Sequence, residues 1–466
     1  MLTQVPKGVS ATMRIYQLCI IGIVSLIQSA YASSIDIHGY ISQGFLYSNK
    51  YNYLADTDGG TFQFNEMGIN FVNRASESSF VGLQISARDL GDIGNNEPYI
   101  DWAVADWRIS DPIGIRFGKL KMPMGLYNET RDIDMLRTFV LLPSGVYLEL
   151  LRDSWNGLKG FGIYGDFAKG SAGSFNYQMG IGTLEIDDNS GTSKMFNSAF
   201  NDPISNTHDF QVGQTFFIGG HWQIPFYELK LAATCLVTEW ISKADISFFL
   251  PAIPQINPDT ENPLGFPGCD DVNIDQEMDI VVDKVKNYTI SASAEWNQIV
   301  LSAEYFYLHL DHIAKIPEYQ YANESITGLK NYGGPQKSQD KLAGFYVSAT
   351  RRLSERIELG GYYSWITSNA DDKDGKKVAK RPGNHDYSVW LRDYCLSILI
   401  DLTNQWIFKI ESHLMDGHSF LYYDDNPPPK NFAIPDGVDP KDYSYDDIVF
   451  PDRFWFMMAA KLSYSF

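Results

Sequence analysis

From Ile35 to Phe466 apolar and polar positions alternate in about sixteen runs, most of them near ten residues long. A period of two predicts β-strands, because successive side chains of a strand point to opposite faces. The runs are "IDIHGYISQGFLY", "FQFNEMGINFVN", "SFVGLQISAR", "YIDWAVADWRI", "IGIRFGKLKM", "GLKGFGIYGDF", "GSFNYQMGIGTLE" and "TFFIGGHWQI". They continue as "LKLAATCLVTEWI", "VKNYTISASAEW", "QIVLSAEYFYLHL", "KLAGFYVSATRR", "RIELGGYYSWI", "DYSVWLRDYCLSILIDL", "QWIFKIESHLM" and "FWFMMAAKLSYSF". In the last, Phe454, Phe456, Met458, Ala460, Leu462, Tyr464 and Phe466 share one parity, and Lys461, Ser463 and Ser465 the other. Such a strand suits either a soluble sandwich or a wall with lipid on one side and water on the other.

The connections favour the wall. Short turns ("RASES", "SDP", "AKGSA", "PFYE", "NQ", "LSE", "TN") alternate with long segments, including 123–156, 186–211, 242–283, 310–340, 366–385 and 416–453. Short turns at one end and long loops at the other mark a transmembrane antiparallel up-and-down β-barrel. An even strand count puts both termini on the short-turn, periplasmic side. Phe466 is then expected to pair the last strand with the first, leaving no edge in lipid. Leu462, Tyr464 and Phe466 also resemble the signal read by the outer-membrane assembly machinery.

The N-terminus carries Arg14, an apolar run from Ile15 to Ile27 and then Ala30-Tyr31-Ala32, which reads as a signal peptide over 1–32. Met13 is a second candidate start. The barrel domain then covers 33–466. The chain carries −20, and removing Lys7 and Arg14 with the leader takes it to −22. That acidity argues against a nucleic-acid partner. The mature part holds Cys235, Cys269 and Cys395, an odd number that cannot form a closed disulfide framework. Cys235 and Cys395 sit in strand-like runs and read as packed thiols.

"RFGKLKMPMGLYNETRD" (116–132) and "FQFNEMGINF" (62–71) resemble segments of outer-membrane porins, in the broad group that includes the phosphate-selective porins. The resemblance implies a sixteen-stranded barrel, a loop after strand five that folds inward to narrow the channel, and a homotrimer. Charge on that constriction would set selectivity. From 113 to 159 there are seven bases and five acids, a net +2, whereas 242–283 holds nine acids and one lysine. Field focusing in a narrow pore amplifies a local bias. The candidate constriction residues are Arg116, Lys119, Lys121, Arg131, Asp132, Asp134, Arg137 and Arg152. Arg116 has lumen parity. Lys119 and Lys121 reach the lumen only if a bulge or the strand end turns them. The dense arginine ladder of the phosphate-selective members has no counterpart here.

The expected function is passive diffusion of small hydrophilic solutes, leaning to small anions, across a Gram-negative outer membrane. It needs no cofactor, and no enzymatic signature is found. The rivals are a closed-lumen surface adhesin or receptor and a cation-preferring general porin. "DDVNIDQEMD" (270–279) reads chiefly as a solvated acidic loop; Asp271, Asp275 and Glu277 are weak candidates for divalent cations that bridge to lipopolysaccharide. It lacks the glycine and terminal Glu of an EF-hand. His309 and His312 show no third metal ligand in sequence.

Overall fold

The computed structural model describes residues 35–91, 93–199, 204–250, 255–256, 263–264, 272–319, 332–380, 385–421, 426 and 452–466. The expected signal peptide, Cys269 and Asp271 lie outside the described residues, as do nearly all of 417–453's acids.

All sixteen runs are strands. They are β1 (Ile35–Ser48), β2 (Phe64–Ser76), β3 (Ser79–Leu90), β4 (Tyr99–Ser110), β5 (Ile113–Lys121), β6 (Gly157–Gly170), β7 (Gly173–Thr183) and β8 (Thr215–Ile224). Then come β9 (Leu229–Leu250), β10 (Val272–Trp296), β11 (Ile299–Tyr319), β12 (Tyr332–Arg352), β13 (Ile357–Thr367), β14 (Trp390–Asp401), β15 (Trp406–Gly417) and β16 (Phe454–Ser465). Each pairs antiparallel with the next, and β16 returns to β1 from Tyr40↔Ser465 to Ser48↔Met457. The barrel is closed. The segment Ile204–Val212 pairs with β9 beyond the reach of β8: Val212 lies opposite Trp240, and Phe216 opposite Val237. It therefore prolongs the line of β8 and adds no seventeenth wall strand.

Closure occurs where the terminal pattern places it. Gly39 N–H donates to the Phe466 carbonyl at 3.1 Å, and Phe466 N–H donates back to Gly39 at 3.0 Å. A Cβ on Gly39 would collide with the Phe466 ring, so the glycine leaves the seat for that ring. Deleting Phe466 should therefore reduce the yield of folded barrel several-fold, while the barrels that do form conduct normally. Heat-modifiable gel mobility of membrane fractions measures this. An undiminished folded band would count against the closure role.

Alternation sorts the two faces. On β14, Tyr394, Leu396 and Ile398 are exposed, whereas Asp393, Cys395, Ser397 and Leu399 are buried inward. On β16, Phe454, Met458, Leu462 and Phe466 face out, and Trp455, Met457, Ala459, Lys461 and Ser463 face in. The outer face repeats this all round the wall, with Phe161, Ile218, Ile290 and Leu301 exposed. No soluble protein presents so continuous an apolar surface to water.

One reading needs correction. Turn lengths and charge make 242–283 and 310–340 loops, but β9 and β10 stay paired from Lys230↔Ser293 up to Leu250↔Val272. β11 and β12 pair as far as Tyr319↔Tyr332. The acids mask a continuing period of two: Ala244, Ile246, Phe248 and Leu250 on one strand, and Val272, Ile274, Met278 and Ile280 on the other. The candidate cation loop 270–279 is thus mostly strand from Val272 on. Glu277 is held by Lys243 at 2.8 Å, and Asp275 lies in the same ladder opposite Ser247.

Candidate pore constriction

The segment between β5 and β6 contains three 3-10 turns and the single helical turn Arg152–Trp155. Its run "TFVLLPSGVYLELL" is too apolar for a solvated loop. Phe139, Val140, Leu141, Leu142, Val146, Tyr147, Leu148, Leu150, Leu151 and Trp155 are all buried. Most of them pack with wall residues such as Leu236, Phe306, Tyr346, Ile366 and Trp455 in one apolar cluster inside the barrel. Burying each such side chain stabilises by roughly 1.5–3 kcal/mol, which draws the segment inward.

Moved inward, its backbone N–H groups leave water and need acceptors. The wall supplies them. Glu411 accepts from Val140 N–H and from Leu141 N–H, each at 2.8 Å. Ser364 Oγ accepts from Gly145 N–H at 2.8 Å, and Glu304 from Leu126 N–H at 2.9 Å. Glu304 also receives the Tyr147 and Tyr346 hydroxyls, each at 2.6 Å. Gly145 lies so close to β12 that a Cβ would strike the Phe345 carbonyl.

Asp134 is the hub of the anchor. Its carboxylate accepts from Arg137 at 2.6 Å, Lys461 at 2.8 Å and Ser463 at 2.8 Å. Its backbone carbonyl accepts from Lys409 at 2.8 Å. A second network joins Arg131 to Glu149 at 2.7 Å and Arg88 to Asp153 at 2.6 Å, with Arg152 bonded to Glu66. Asp134 and Arg152 therefore fasten the segment to the wall, and Arg131 and Arg137 brace it internally.

These pairings set its response to acid. Burial alone would raise the pKa of Asp134, but Lys461, Arg137 and Lys409 hold it well below the usual carboxylate range. Burial opposes ionisation of Glu149 too, and Arg131, Arg152 and Arg88 overcome it. A depressed carboxylate stabilises the docked state fully above its free pKa, near 4, and loses that contribution as pH falls below it. On the acid side conductance should thus stay level from about pH 6 down to about pH 5 and change below about pH 4. Bilayer recordings across that range check this; a step between about pH 6 and about pH 5 would contradict it.

The anchored segment leaves one side of the lumen open. A cavity of about 350 Å³ lies between residues 129–133 and the inner face of β2 to β8. Arg116, Lys119, Lys121, Glu129 and Asp132 line it, with Trp102, Tyr164 and Gln178. At the top of this wall the alternation breaks. Gly118 takes φ +125°, and the β3–β4 pairing slips between Gln84 and Ile85. Beyond that point Lys121 turns in to Asp132 at 2.6 Å and Asp101 at 3.0 Å. Lys119 donates to the Ile100 carbonyl at 2.7 Å and meets Glu185 at 3.1 Å. Arg116 lies with its guanidinium carbon 3.9 Å from the centre of the Tyr164 ring and its Nε 2.5 Å from Asp106.

The structure thus divides the sequence candidates. Arg116, Lys119, Lys121 and Asp132 line the cavity, Asp134 and Arg152 tie the segment to the wall, and Arg131 and Arg137 brace it from within. Sequence reasoning missed the wall partners Glu304, Ser364, Lys409, Glu411 and Lys461. A signal is present in "IFKIESHLM", where Lys409, Glu411 and His413 share the inward parity of one strand.

The chain is an outer-membrane β-barrel. A closed wall with an apolar outer band and a lumen narrowed from within admits no other setting. No protein-family model matches it, and no curated protein does. Solved structures do. The outer membrane channel DcaP of Acinetobacter baumannii is 10% identical over 93% of this chain and 97% of that one, with a TM-score of 0.49. The anion-selective porin from Comamonas acidovorans is 12% identical over 93% and 100%, with a TM-score of 0.47. OmpT, an outer membrane protein of Vibrio cholerae, is 10% identical over 94% and 99%, also at 0.47. At these values the likeness is one of fold and carries no argument about solute.

Proposed function

We propose that this barrel is a passive channel for small hydrophilic solutes, with weak ion selectivity leaning to anions. The observation that carries the reading is the cavity left beside the inner loop, whose largely apolar lining is studded with the charges of Arg116, Lys119, Lys121, Glu129 and Asp132. Its volume matches the small end of ligand pockets, suiting solutes of the size of a sugar or short carboxylate. Selectivity is weak because each cavity base has a carboxylate partner: Asp106 for Arg116, Glu185 for Lys119, and Asp101 and Asp132 for Lys121. The lean rests on Arg116, whose side chain keeps 31% of its surface exposed while Asp106 keeps 4%. Ions sample the exposed group more than the buried one.

Planar-bilayer conductance with the reversal potential in a salt gradient tests both parts. Discrete single-channel steps with a small anion preference are expected. Absence of any conductance from folded barrel would favour the closed-lumen receptor, which the apolar packing around the loop would suit. A strong cation preference would make it a cation-preferring general porin.

A further inference from the structure

Beneath the anchored loop lies a cluster that neither the channel nor the anchor fully uses. Cys395 on β14 sits directly opposite His413 on β15, and Glu411 shares the inward face of β15 with His413. Cys395 Sγ, a Glu411 oxygen and a His413 ring nitrogen all lie within 4.8 Å of one another. Sγ is 3.9 Å from Glu411 Oε2, and His413 Nε2 is 3.1 Å from Glu411 Oε1. All three are buried. Phe139 closes the top, its ring 4.9 Å from that of Tyr362, and packs with Cys395. We propose that Cys395, Glu411 and His413 form a binding site for a borderline-soft divalent metal ion of the zinc class.

The donor set is what such an ion selects. Thiolate, imidazole and carboxylate together bind zinc and cobalt and are a poor set for magnesium or calcium. Ligand bonds of about 2.0–2.3 Å in a tetrahedron put donor atoms about 3.3–3.8 Å apart. Cys395 Sγ–Glu411 Oε2 at 3.9 Å and His413 Nε2–Glu411 Oε1 at 3.1 Å each stand within a few tenths of an ångström of that range. His413 is already held as a ligand is. Its Nδ1 faces the two Asp393 oxygens at 2.9 and 3.1 Å, and Asp393 is fixed by the Tyr362 hydroxyl at 2.9 Å. A carboxylate on the far ring nitrogen orients a metal-bound histidine and makes it a stronger donor.

Glu411 is shared with the loop through Val140 N–H and Leu141 N–H. An ion there would stiffen the anchor from below.

The test uses the full barrel without a histidine tag, refolded with Co2+ as the probe and separated from free ion by gel filtration. One cobalt per folded chain, with a thiolate-to-cobalt charge-transfer absorption, is expected. Cys395→Ser should abolish that absorption and weaken retention at least about tenfold, and Asp393→Asn should weaken it roughly 10–100-fold while keeping the absorption. Heat-modifiable mobility confirms folding of each variant. Folded wild type that retains no cobalt overturns the proposal. So does retention without charge transfer, or retention unaffected by Cys395→Ser and lost on Glu277→Ala. That last result would assign the ion to the exposed group of His208, Asp245 and Glu277. The channel reading survives either way, because conductance is measured separately.

Discussion

Asp134→Ala should give a larger and noisier single-channel current. The carboxylate holds Arg137, Lys461 and Ser463 by direct hydrogen bonds and lies 3.8 Å from Lys409. All three cations are buried. Breaking a buried pair by removing one partner typically costs about 3–5 kcal/mol, because a charge stays desolvated without its counterion. Here three cations lose one counterion together. The barrel wall itself closes through β1 and β16, which do not need this loop, so the cost falls on docking. Glu411 and Glu304 still tether the loop at either side, so it should fluctuate between docked and displaced positions. Protease cleavage after Arg131 or Arg137 should accelerate in parallel. Asp134→Asn keeps the hydrogen bonds to Ser463 and one cation and should fall between. An unchanged current in a folded Asp134→Ala barrel would mean that ions do not pass beside this loop.

Arg116→Glu should move the reversal potential clearly toward cations. The change is two units of charge at the passage, and it places a carboxylate among Asp106, Glu129 and Asp132. It also removes the guanidinium stacked on Tyr164. The shift should be largest at low salt, since the screening length falls from about 30 Å at 0.01 M to about 10 Å at 0.1 M. Arg137→Gln is the control. Arg137 is tied to Asp134 and to the Arg131 carbonyl, away from the cavity, so it should alter noise and conductance but leave the ion preference near wild type. Equal shifts from both variants would show that the anchor network, and not Arg116, sets the potential along the passage.

Several details are legible in the chain itself. The alternation at 454–466 places Phe454, Met458 and Leu462 outward and Lys461 and Ser463 inward, as observed. The parity of Arg116 against Ile113, Ile115 and Phe117 puts it on the lumen, as it lies. The ends of the long strands are hidden by Asp245, Asp279 and Asp311, whose charge suggests solvated loop while the period of two continues beneath them. The function of the loop's arginines is not legible. A sequence shows that Arg131, Arg137 and Arg152 are basic, but not that Glu149, Asp134 and Glu66 stand within bonding distance.

Sequence by itself determined the barrel, its strand number, its closure at Phe466 and which runs face lipid. These follow from period-two patterning and turn lengths, both of which act between near neighbours or along one strand. Only the tertiary structure decided which charges anchor the loop and which face the cavity, because the anchoring contacts join residues far apart in the chain: Glu411 with Val140, Lys461 with Asp134, Glu304 with Tyr147. Coulomb attraction and hydrogen bonding depend on distance in space, and that distance exists only once the barrel has closed around its loop.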